Sequence, residues 1–260
     1  MNKLEQVFAK EKKVFIAFIT AGDPSLTVTK ELIVTMAKAG AGIIELGIPF
    51  SDPVAEGEVI QRANIRALKG NATTDEIFDM IKEVRKETDV PLVFLNYANQ
   101  IYTYGCEKFF ANCEATGVAG VIVPDIPYEE REEFLPYSTK HNVSMIPLIA
   151  PTSHERIHMI AKEAHGYVYL VSSLGVTGVR DSITTDMAAI VAEVRKATTV
   201  PCAVGFGISE PEQAYAMAKV SDGAIVGSAI EKIVEKYGEA AAPYVYEYVK
   251  MMVGAVKRAI

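Results

Sequence analysis

The chain has 260 residues, of which half are hydrophobic and 23% are charged, and its formal net charge is −7. This composition supports a large core and argues against disorder, while the negative charge argues against general nucleic-acid binding, which needs a basic surface. Three cysteines without metal-ligand spacing indicate reduced thiols and a cytoplasmic protein. No apolar run approaches the ~18 residues of a membrane span, and the apolar run near the N-terminus is too short for a secretion signal.

Eight short apolar runs recur along the chain, each followed by an amphipathic helical stretch. The runs are continuous rather than alternating, which is typical of parallel strands covered on both faces. The predicted strands are residues 14–20, 42–47, 91–96, 120–123, 144–149, 167–171, 201–205 and 223–227. Eight β–α units in a chain of this length predict an α/β fold, a single-domain (β/α)8 TIM barrel over residues 1–260, although an open doubly wound sheet could use the same pattern.

Capping residues mark the starts of several predicted helices. Ser25 precedes one helix, and capping-box patterns begin at Thr73, Thr152 and Ser209. Extra helices are predicted at the N-terminus, after strand two, where residues 59–69 and 74–87 both read as helical, and after strand eight. An extra helix after the eighth strand is a common feature of phosphate sites in such barrels.

The second strand delivers carboxyl groups to the strand ends, where barrel enzymes carry their chemistry. Side chains alternate along a strand, so if Ile44 and Leu46 pack under the helices, Glu45 points into the interior. No predicted strand contains a Lys or Arg that could pair with it. A buried acid without a basic partner favours a raised pKa and a functional role over a structural ion pair. The loop that follows adds Asp52 and Glu56, whose significance depends on their closeness to this strand, because loop acids are often turn formers.

Glycines cluster at the ends of the last two strands. Gly205 and Gly207 end strand seven, while Gly227 and Ser228 end strand eight, and Ser228 opens a helix. Glycines allow backbone N–H groups to approach a ligand closely, and a helix N-terminus favours an anion. Together with Gly178 they predict a phosphate site, although each glycine taken alone could simply turn a tight loop.

Histidines and tyrosines give weaker signals. A metal site on the outer helix predicted to carry His154, His158 and His165 is disfavoured, because it is remote from the strand ends and lacks further ligands. The hydroxyl of Tyr97 or of Tyr169 could reach the interior glutamate, or both rings could simply pack in the core. No strand lysine offers a Schiff base, so carbon–carbon chemistry here would proceed by acid–base catalysis.

Taken together, the motifs resemble the tryptophan synthase α subunit family. The most specific is E-L-G-I-P-F-S-D-P at residues 45–53, and the resemblance spans the chain through residues 22–24, 60–61, 97–99, 124–127, 175–178 and 205–209. It implies a (β/α)8 barrel that cleaves indole-3-glycerol phosphate to indole and glyceraldehyde 3-phosphate, with no cofactor and no metal in this chain. It also implies a β-subunit partner, in a complex of two α and two β subunits, which receives the indole and joins it to serine with pyridoxal phosphate.

The resemblance also assigns roles by position. Glu45 matches the proton-transfer glutamate, and Glu56 matches the second catalytic carboxylate, which would accept the indole N–H and stabilise positive charge there. The indole-pocket positions are Phe18, Leu95, Tyr97 and Tyr169. The phosphate-site positions are Gly178, Gly207, Gly227 and Ser228. Thr177 matches a substrate-site position. Thr177 and Asp52 would help to close the two active-site loops, and Asp52 and Asp125 match positions that couple the loops to the partner.

The chain departs from the commonest family pattern at two positions, with Glu56 in place of Asp and Glu58 in place of Pro. The longer side chain can still present a carboxylate if the loop shifts. Three other functions remain open: a sugar-phosphate isomerase on the same barrel, a non-catalytic subunit that activates a partner, and a free-standing indole-producing lyase. Incubation with indole-3-glycerol phosphate, with and without the β subunit, separates them.

Overall fold

The computed structural model describes residues 2–151, 154–171, 187–205 and 207–260. Its strands are β1 (Val14–Thr20), β2 (Ile43–Gly47), β3 (Leu92–Leu95), β4 (Val118–Ile122), β5 (Ser144–Met145), β6 (Leu148–Ile149), β7 (Val168–Val171), β8 (Cys202–Gly205) and β9 (Gly223–Val226). All pair in parallel within one sheet, in the order β5-β4-β3-β2-β1-β9-β8-β7-β6. The predicted parallel strands are confirmed.

The two edges of this sheet are halves of one interrupted strand. β5 pairs with β4, and β6, which begins only three residues after β5 ends, pairs with β7. Between them the Ile146 N–H donates to the Val121 carbonyl at 2.9 Å, and the Pro147 carbonyl accepts the Tyr169 N–H at 3.0 Å. The sheet therefore closes into a barrel with eight strand positions. The predicted fifth strand is interrupted at Pro147, which has no N–H to donate.

Twelve α-helices within the described residues surround the sheet. They are α1 (Lys3–Glu11), α2 (Leu26–Lys38), α3 (Glu58–Lys69), α4 (Thr74–Val84), α5 (Ala98–Tyr104), α6 (Cys106–Thr116), α7 (Leu135–Lys140), α8 (His154–Lys162), α9 (Met187–Ala197), α10 (Pro211–Val220), α11 (Ser228–Tyr237) and α12 (Ala242–Lys257). Short 3-10 helices cover Tyr128–Glu133 and Gly238–Ala240. The extra helices predicted before β1, after β2 and after the last strand are present. Among the described helices, none combines the length and apolar character that crossing a membrane requires.

The predicted helix starts are only partly confirmed. The side chain of Ser25 caps α2, and Thr73 forms a capping box with Glu76 at α4. The box predicted at Ser209 is wrong, because Glu210 is the N-cap of α10 and Gln213 completes its box. The pattern predicted at residue 152 lies outside the described residues. Three histidines do not share one helix either, since α8 ends before residue 165.

Strand alternation divides the hydrophobic core into an inner and an outer part. Ile44 and Leu46 belong to the outer cluster between sheet and helices, whereas Ile43 belongs to the cluster inside the barrel. Leu4 and Phe8 of α1 join the inner cluster and close the barrel at the N-terminal ends of the strands. The opposite end of the barrel interior carries Glu45 among apolar side chains, and the cavity described next lies there.

Candidate active site

A cavity of about 430 Å³ opens at the C-terminal ends of the strands. Its lining includes most of the predicted site residues, namely Phe18, Glu45, Glu56, Leu95, Tyr169, Gly207, Gly227 and Ser228. The wall is mostly apolar. Its polar groups include the carboxyl groups of Glu45 and Glu56 and the helix N-terminus at Gly227 and Ser228. Thr177 and Gly178 lie outside the described residues.

A larger cavity, of about 560 Å³, lies beside the interrupted strand and α7. It contains none of the predicted site residues. Its arginines are already paired, Arg131 with Glu163 and Arg156 with Glu129. Size alone therefore does not identify the site, whereas the position at the strand ends and the buried carboxyl groups favour the smaller cavity.

Glu45 lies on β2 with only 1% of its surface exposed. The hydroxyl of Tyr167 donates to its Oε1 at 2.5 Å. Burial raises the pKa of Glu45 to about 8, and this effect outweighs the hydrogen bond, which acts in the opposite direction. No cationic side chain contributes to this pKa, as expected from the absence of basic residues in the strands. At neutral pH the carboxyl group is protonated yet able to release its proton.

Tyr167 is not among the predicted site residues. Of the two tyrosines expected to be able to reach Glu45, Tyr97 donates to Glu56 instead, whereas Tyr169 lies near Glu45, since burial and then the charge of Glu45 raise the pKa of Tyr169. Tyr167 precedes β7 by one residue and is fully buried inside the barrel. The alternation that places Tyr169 in the interior places Tyr167 there as well, two residues earlier. The signal was therefore present, but Tyr167 lies at the start of the strand, away from the end where chemistry was expected. Tyr169 itself lines the cavity.

Glu56 lies in the loop before α3 and is 6% exposed. Its carboxylate accepts a hydrogen bond from the hydroxyl of Tyr97, and its backbone carbonyl accepts one from Gln61 Nε2 at 2.8 Å. Burial raises the pKa of this glutamate, while the hydrogen bond from Tyr97 acts against that rise. Glu58 is the first residue of α3, a position that suits either a proline or an acid, so the second departure leaves the helix start intact.

Tyr97 supports the loop and does not form the cavity wall, contrary to its predicted place in the indole pocket. Its hydroxyl accepts the N–H groups of Val54 at 3.0 Å and Ala55 at 2.9 Å while it donates to Glu56. Its ring stacks on Phe50, with centroids 4.9 Å apart. One hydroxyl group thus holds both the backbone and the carboxylate of the loop.

The glycines at the other side of the cavity leave room for rings as well as for an anion. Gly227 is the N-cap of α11, and the first N–H groups of that helix have no partner within it. A Cβ on Gly227 would lie 2.9 Å from Cδ1 of Phe18, and a Cβ on Gly205 would lie 2.3 Å from Oη of Tyr169. Gly207 has a φ of 76°, which favours glycine.

The residues predicted to couple loops and partner lie outside the cavity. Asp52 is exposed and accepts a hydrogen bond from the Ser51 hydroxyl. Asp125 accepts the N–H of Ala98 at 3.0 Å and so links the loop after β4 to the start of α5. In the described part of the chain, no three His, Cys, Asp or Glu side chains converge as metal ligands.

Comparison with known proteins gives a consistent result. A family model described as tryptophan synthase alpha chain matches residues 4–260. The tryptophan synthase alpha chain of Lacticaseibacillus casei is 49% identical over 256 residues, which cover 98% of this chain and 96% of the relative. That of Lactiplantibacillus plantarum is 48% identical, covering 93% and 92%. The crystal structure of the alpha chain from Legionella pneumophila subsp. pneumophila is 34% identical, with a TM-score of 0.88 and coverage of 98% and 97%. The chain therefore belongs to the tryptophan synthase alpha chain family.

Proposed function

We propose that the carboxyl groups of Glu45 and Glu56 carry out the reaction of this chain. The chain is a carbon–carbon lyase of tryptophan biosynthesis, which cleaves indole-3-glycerol phosphate to indole and glyceraldehyde 3-phosphate. The observation that supports the two roles is that both carboxyl groups are buried in one cavity, both with raised pKa values, and that a helix N-terminus lines the same cavity.

Glu45 transfers the protons. Its protonated carboxyl group donates to C3 of the indole ring, and the resulting carboxylate accepts the proton of the side-chain hydroxyl next to the breaking bond. The electrons of that carbon–carbon bond return to the ring as the hydroxyl becomes an aldehyde, so no net proton is consumed. A pKa of about 8 suits both steps near neutral pH. Tyr167 donates to Oε1, which stabilises the carboxylate between the two transfers.

Glu56 stabilises the positive charge that protonation at C3 places on the indole nitrogen. Its carboxylate accepts the ring N–H, an interaction that strengthens as the charge develops. The hydrogen bond from Tyr97 favours the ionised form that this role requires. The loop geometry thereby accommodates Glu in place of the more usual Asp.

The cavity holds the two ends of the substrate by different means. The indole ring packs among Phe18, Leu95 and Tyr169, and the phosphate lies at Gly207, Gly227 and Ser228, with Thr177 and Gly178 as further contacts outside the described residues. No lysine or arginine is among the described residues that line the cavity, so backbone N–H groups and the dipole of α11 bind the anion.

A β subunit is the proposed partner, in a complex of two α and two β subunits, and it carries the pyridoxal phosphate. The loop around Asp52 exposes Val54, 70% accessible, and α5 exposes Tyr102, 48% accessible. Gln100 of α5 joins the two by donating to the Pro49 carbonyl at 2.9 Å. An exposed apolar surface beside the cavity supports docking of a partner that takes up indole.

Indole release from indole-3-glycerol phosphate by the purified chain, with and without the β subunit, tests the proposal. The parent is expected to release indole, and Glu45→Gln to lose at least about 1,000-fold in kcat because a proton donor is lost. Glu247→Gln, which changes an exposed glutamate of α12, is the matched control. Turnover retained by Glu45→Gln would contradict its role, and a parent inactive in both arms would favour a non-catalytic subunit.

A further inference from the structure

A second pair of buried carboxyl groups lies outside the cavity, where α11 meets the loop after β1. Glu231, the fourth residue of α11, is fully buried, and Asp23 in the loop is 1% exposed. Oε1 of Glu231 accepts the backbone N–H of Thr20, at the end of β1. Neither carboxyl group takes part in the chemistry proposed above, so the cost of burying both calls for a different explanation.

The hydrogen bonds show which of the two carries a proton. Arg66 donates to both oxygens of Asp23, through Nε at 2.8 Å and Nη2 at 2.7 Å, so Asp23 acts as an acceptor. Oε2 of Glu231 is buried and accepts no hydrogen bond of regular geometry among the described residues, while the Glu231 carboxyl group lies within reach of Asp23 and of the Thr20 hydroxyl. One proton on Glu231 satisfies this oxygen, since a protonated carboxyl donates. Burial and the charge of Asp23 both raise the pKa of Glu231 well above its ordinary value.

The pair joins the elements that build the cavity. The N–H of Glu231 bonds to the carbonyl of Gly227 at 3.0 Å, one turn back at the start of α11. Thr20 lies two residues after Phe18 on β1, and Arg66 lies on α3, the helix that follows the Glu56 loop. Movement of this pair would therefore shift the start of α11 relative to the strand end beside it.

We propose that Glu231 is a positioning residue for the phosphate of the substrate: its protonated carboxyl group, shared with Asp23, fixes the N-terminus of α11 against the end of β1. The proton also removes a negative charge from the first turn of a helix whose N-terminus receives a dianion. The inference rests on the proposed function, because it assumes that the phosphate binds at Gly227 and Ser228.

The other charged groups around the pair keep their charges at neutral and alkaline pH. On α3, hydrogen bonds to carboxylates raise the pKa of Arg62 and of Arg66. On α11, the hydrogen bond from Arg62 lowers the pKa of Glu235. Asp23, in the loop, accepts two hydrogen bonds from Arg66. Glu231 is thus the group in this set that gains a charge as the pH rises.

Phosphate binding to Glu231 variants tests the inference. The dissociation constant of inorganic phosphate is measured by calorimetry, and KM and kcat for indole-3-glycerol phosphate by indole release, between about pH 7.5 and about pH 9.5, where phosphate carries its second charge. Glu231→Gln keeps a donor for Asp23 and an acceptor for Thr20, so it is expected to bind within about twofold of the parent at the lower pH. Glu45, whose pKa is about 8, also gains a charge in the cavity over this range, in the parent and in the variant alike. Toward the higher pH Glu231→Gln should therefore lose less phosphate affinity than the parent, in which Glu231 can ionise as well.

Glu231→Leu removes both hydrogen bonds and is expected to raise the dissociation constant and KM about tenfold at every pH, with kcat changed less. Glu247→Gln serves as the control and should match the parent throughout. If Glu231→Leu has a parent-like melting temperature and undiminished phosphate affinity, the inference is overturned. It is also overturned if Glu231→Gln loses as much phosphate affinity toward alkaline pH as the parent does, and this second test stands even if Glu231→Leu does not fold. If the parent cleaves the substrate and both variants behave like it, this inference alone is refuted. If the parent neither binds phosphate nor releases indole, the proposed function is refuted as well.

Discussion

The two roles proposed for Glu45 and Glu56 correspond to different surroundings of the same side-chain type. Both are buried, and burial raises both pKa values. Each accepts a hydrogen bond from a tyrosine hydroxyl: Glu45 from Tyr167 inside the barrel, and Glu56 from Tyr97 under the loop. The first carboxyl group is 1% exposed and can hold its proton at neutral pH, whereas the second, at 6%, lies where the loop backbone and hydroxyl support its ionised form.

The raised pKa of Glu45 predicts a pH-dependent cost in stability. Its pKa is about 8 in the folded chain against 4.5 ordinarily, so between these values the folded state binds more protons and the free energy of unfolding falls as pH rises. Glu45→Gln lacks this penalty. As the pH is raised from 4.5 to 7, the free energy of unfolding of the variant should therefore rise relative to that of the parent by on the order of 3 kcal/mol. Urea unfolding at both pH values measures this, with Glu247→Gln as the control; a pH-independent difference would contradict it.

The Tyr97 hydroxyl predicts a shift in the pH dependence of turnover. Tyr97→Phe removes the donor to Glu56 and the acceptor for two loop N–H groups, so the pKa of Glu56 should rise and kcat should fall about tenfold or more. Because Glu56 is proposed to act as a carboxylate, the acidic limb of the kcat profile should move to higher pH. Tyr104→Phe, which removes a hydroxyl that donates to exposed Asp75, is the control. An unmoved limb would show that Tyr97 does not tune Glu56.

At the scale of elements, the strands and their facing were predictable because both follow from hydrophobic pattern and alternation. Ile44 and Leu46 pack outward, and Glu45 lines the cavity, as alternation requires. The pairing of the interrupted strand was not predictable from local pattern, since residues 144–145 pair with β4 whereas residues 148–149 pair with β7. The place of Tyr97 also depends on how the loop folds back over α5, a contact between segments about forty residues apart, which local pattern does not encode.

The end of β8 predicts a specific steric effect. A Cβ on Gly205 would lie 2.3 Å from Oη of Tyr169 and 2.6 Å from Cε1 and Cζ, so in Gly205→Ala the ring must move. We expect KM for indole-3-glycerol phosphate to rise about tenfold or more, and stability to fall by about 1–3 kcal/mol. Gly254→Ala is the control, because nothing lies within 4 Å of its Cβ and alanine suits its helix. An unchanged KM in Gly205→Ala would show that the ring is not confined.

At the scale of the whole molecule, the barrel connects its two ends through the interior. α1 closes the N-terminal end with Leu4 and Phe8, and the ring of Phe8 lies 6.0 Å from that of Tyr167. Tyr167 in turn donates to Glu45 beneath the cavity. A helix that precedes the first strand and contributes nothing to the cavity lining is thus linked through Tyr167 to the carboxyl group proposed to transfer protons.

Phe8→Ala tests this connection across the molecule. Loss of a buried ring is expected to lower the free energy of unfolding by about 3–5 kcal/mol. Because Tyr167 loses a neighbour while the residues proposed for indole and phosphate keep theirs, kcat should fall more than KM changes when both are measured well below the melting temperature. Tyr244→Ala, which removes a half-exposed ring stacked on Tyr237 on the outer surface, is the matched control and should alter neither constant. If Phe8→Ala loses stability but keeps the parental kcat, α1 closes the barrel without orienting Glu45, and the tyrosine must be held by the strands alone.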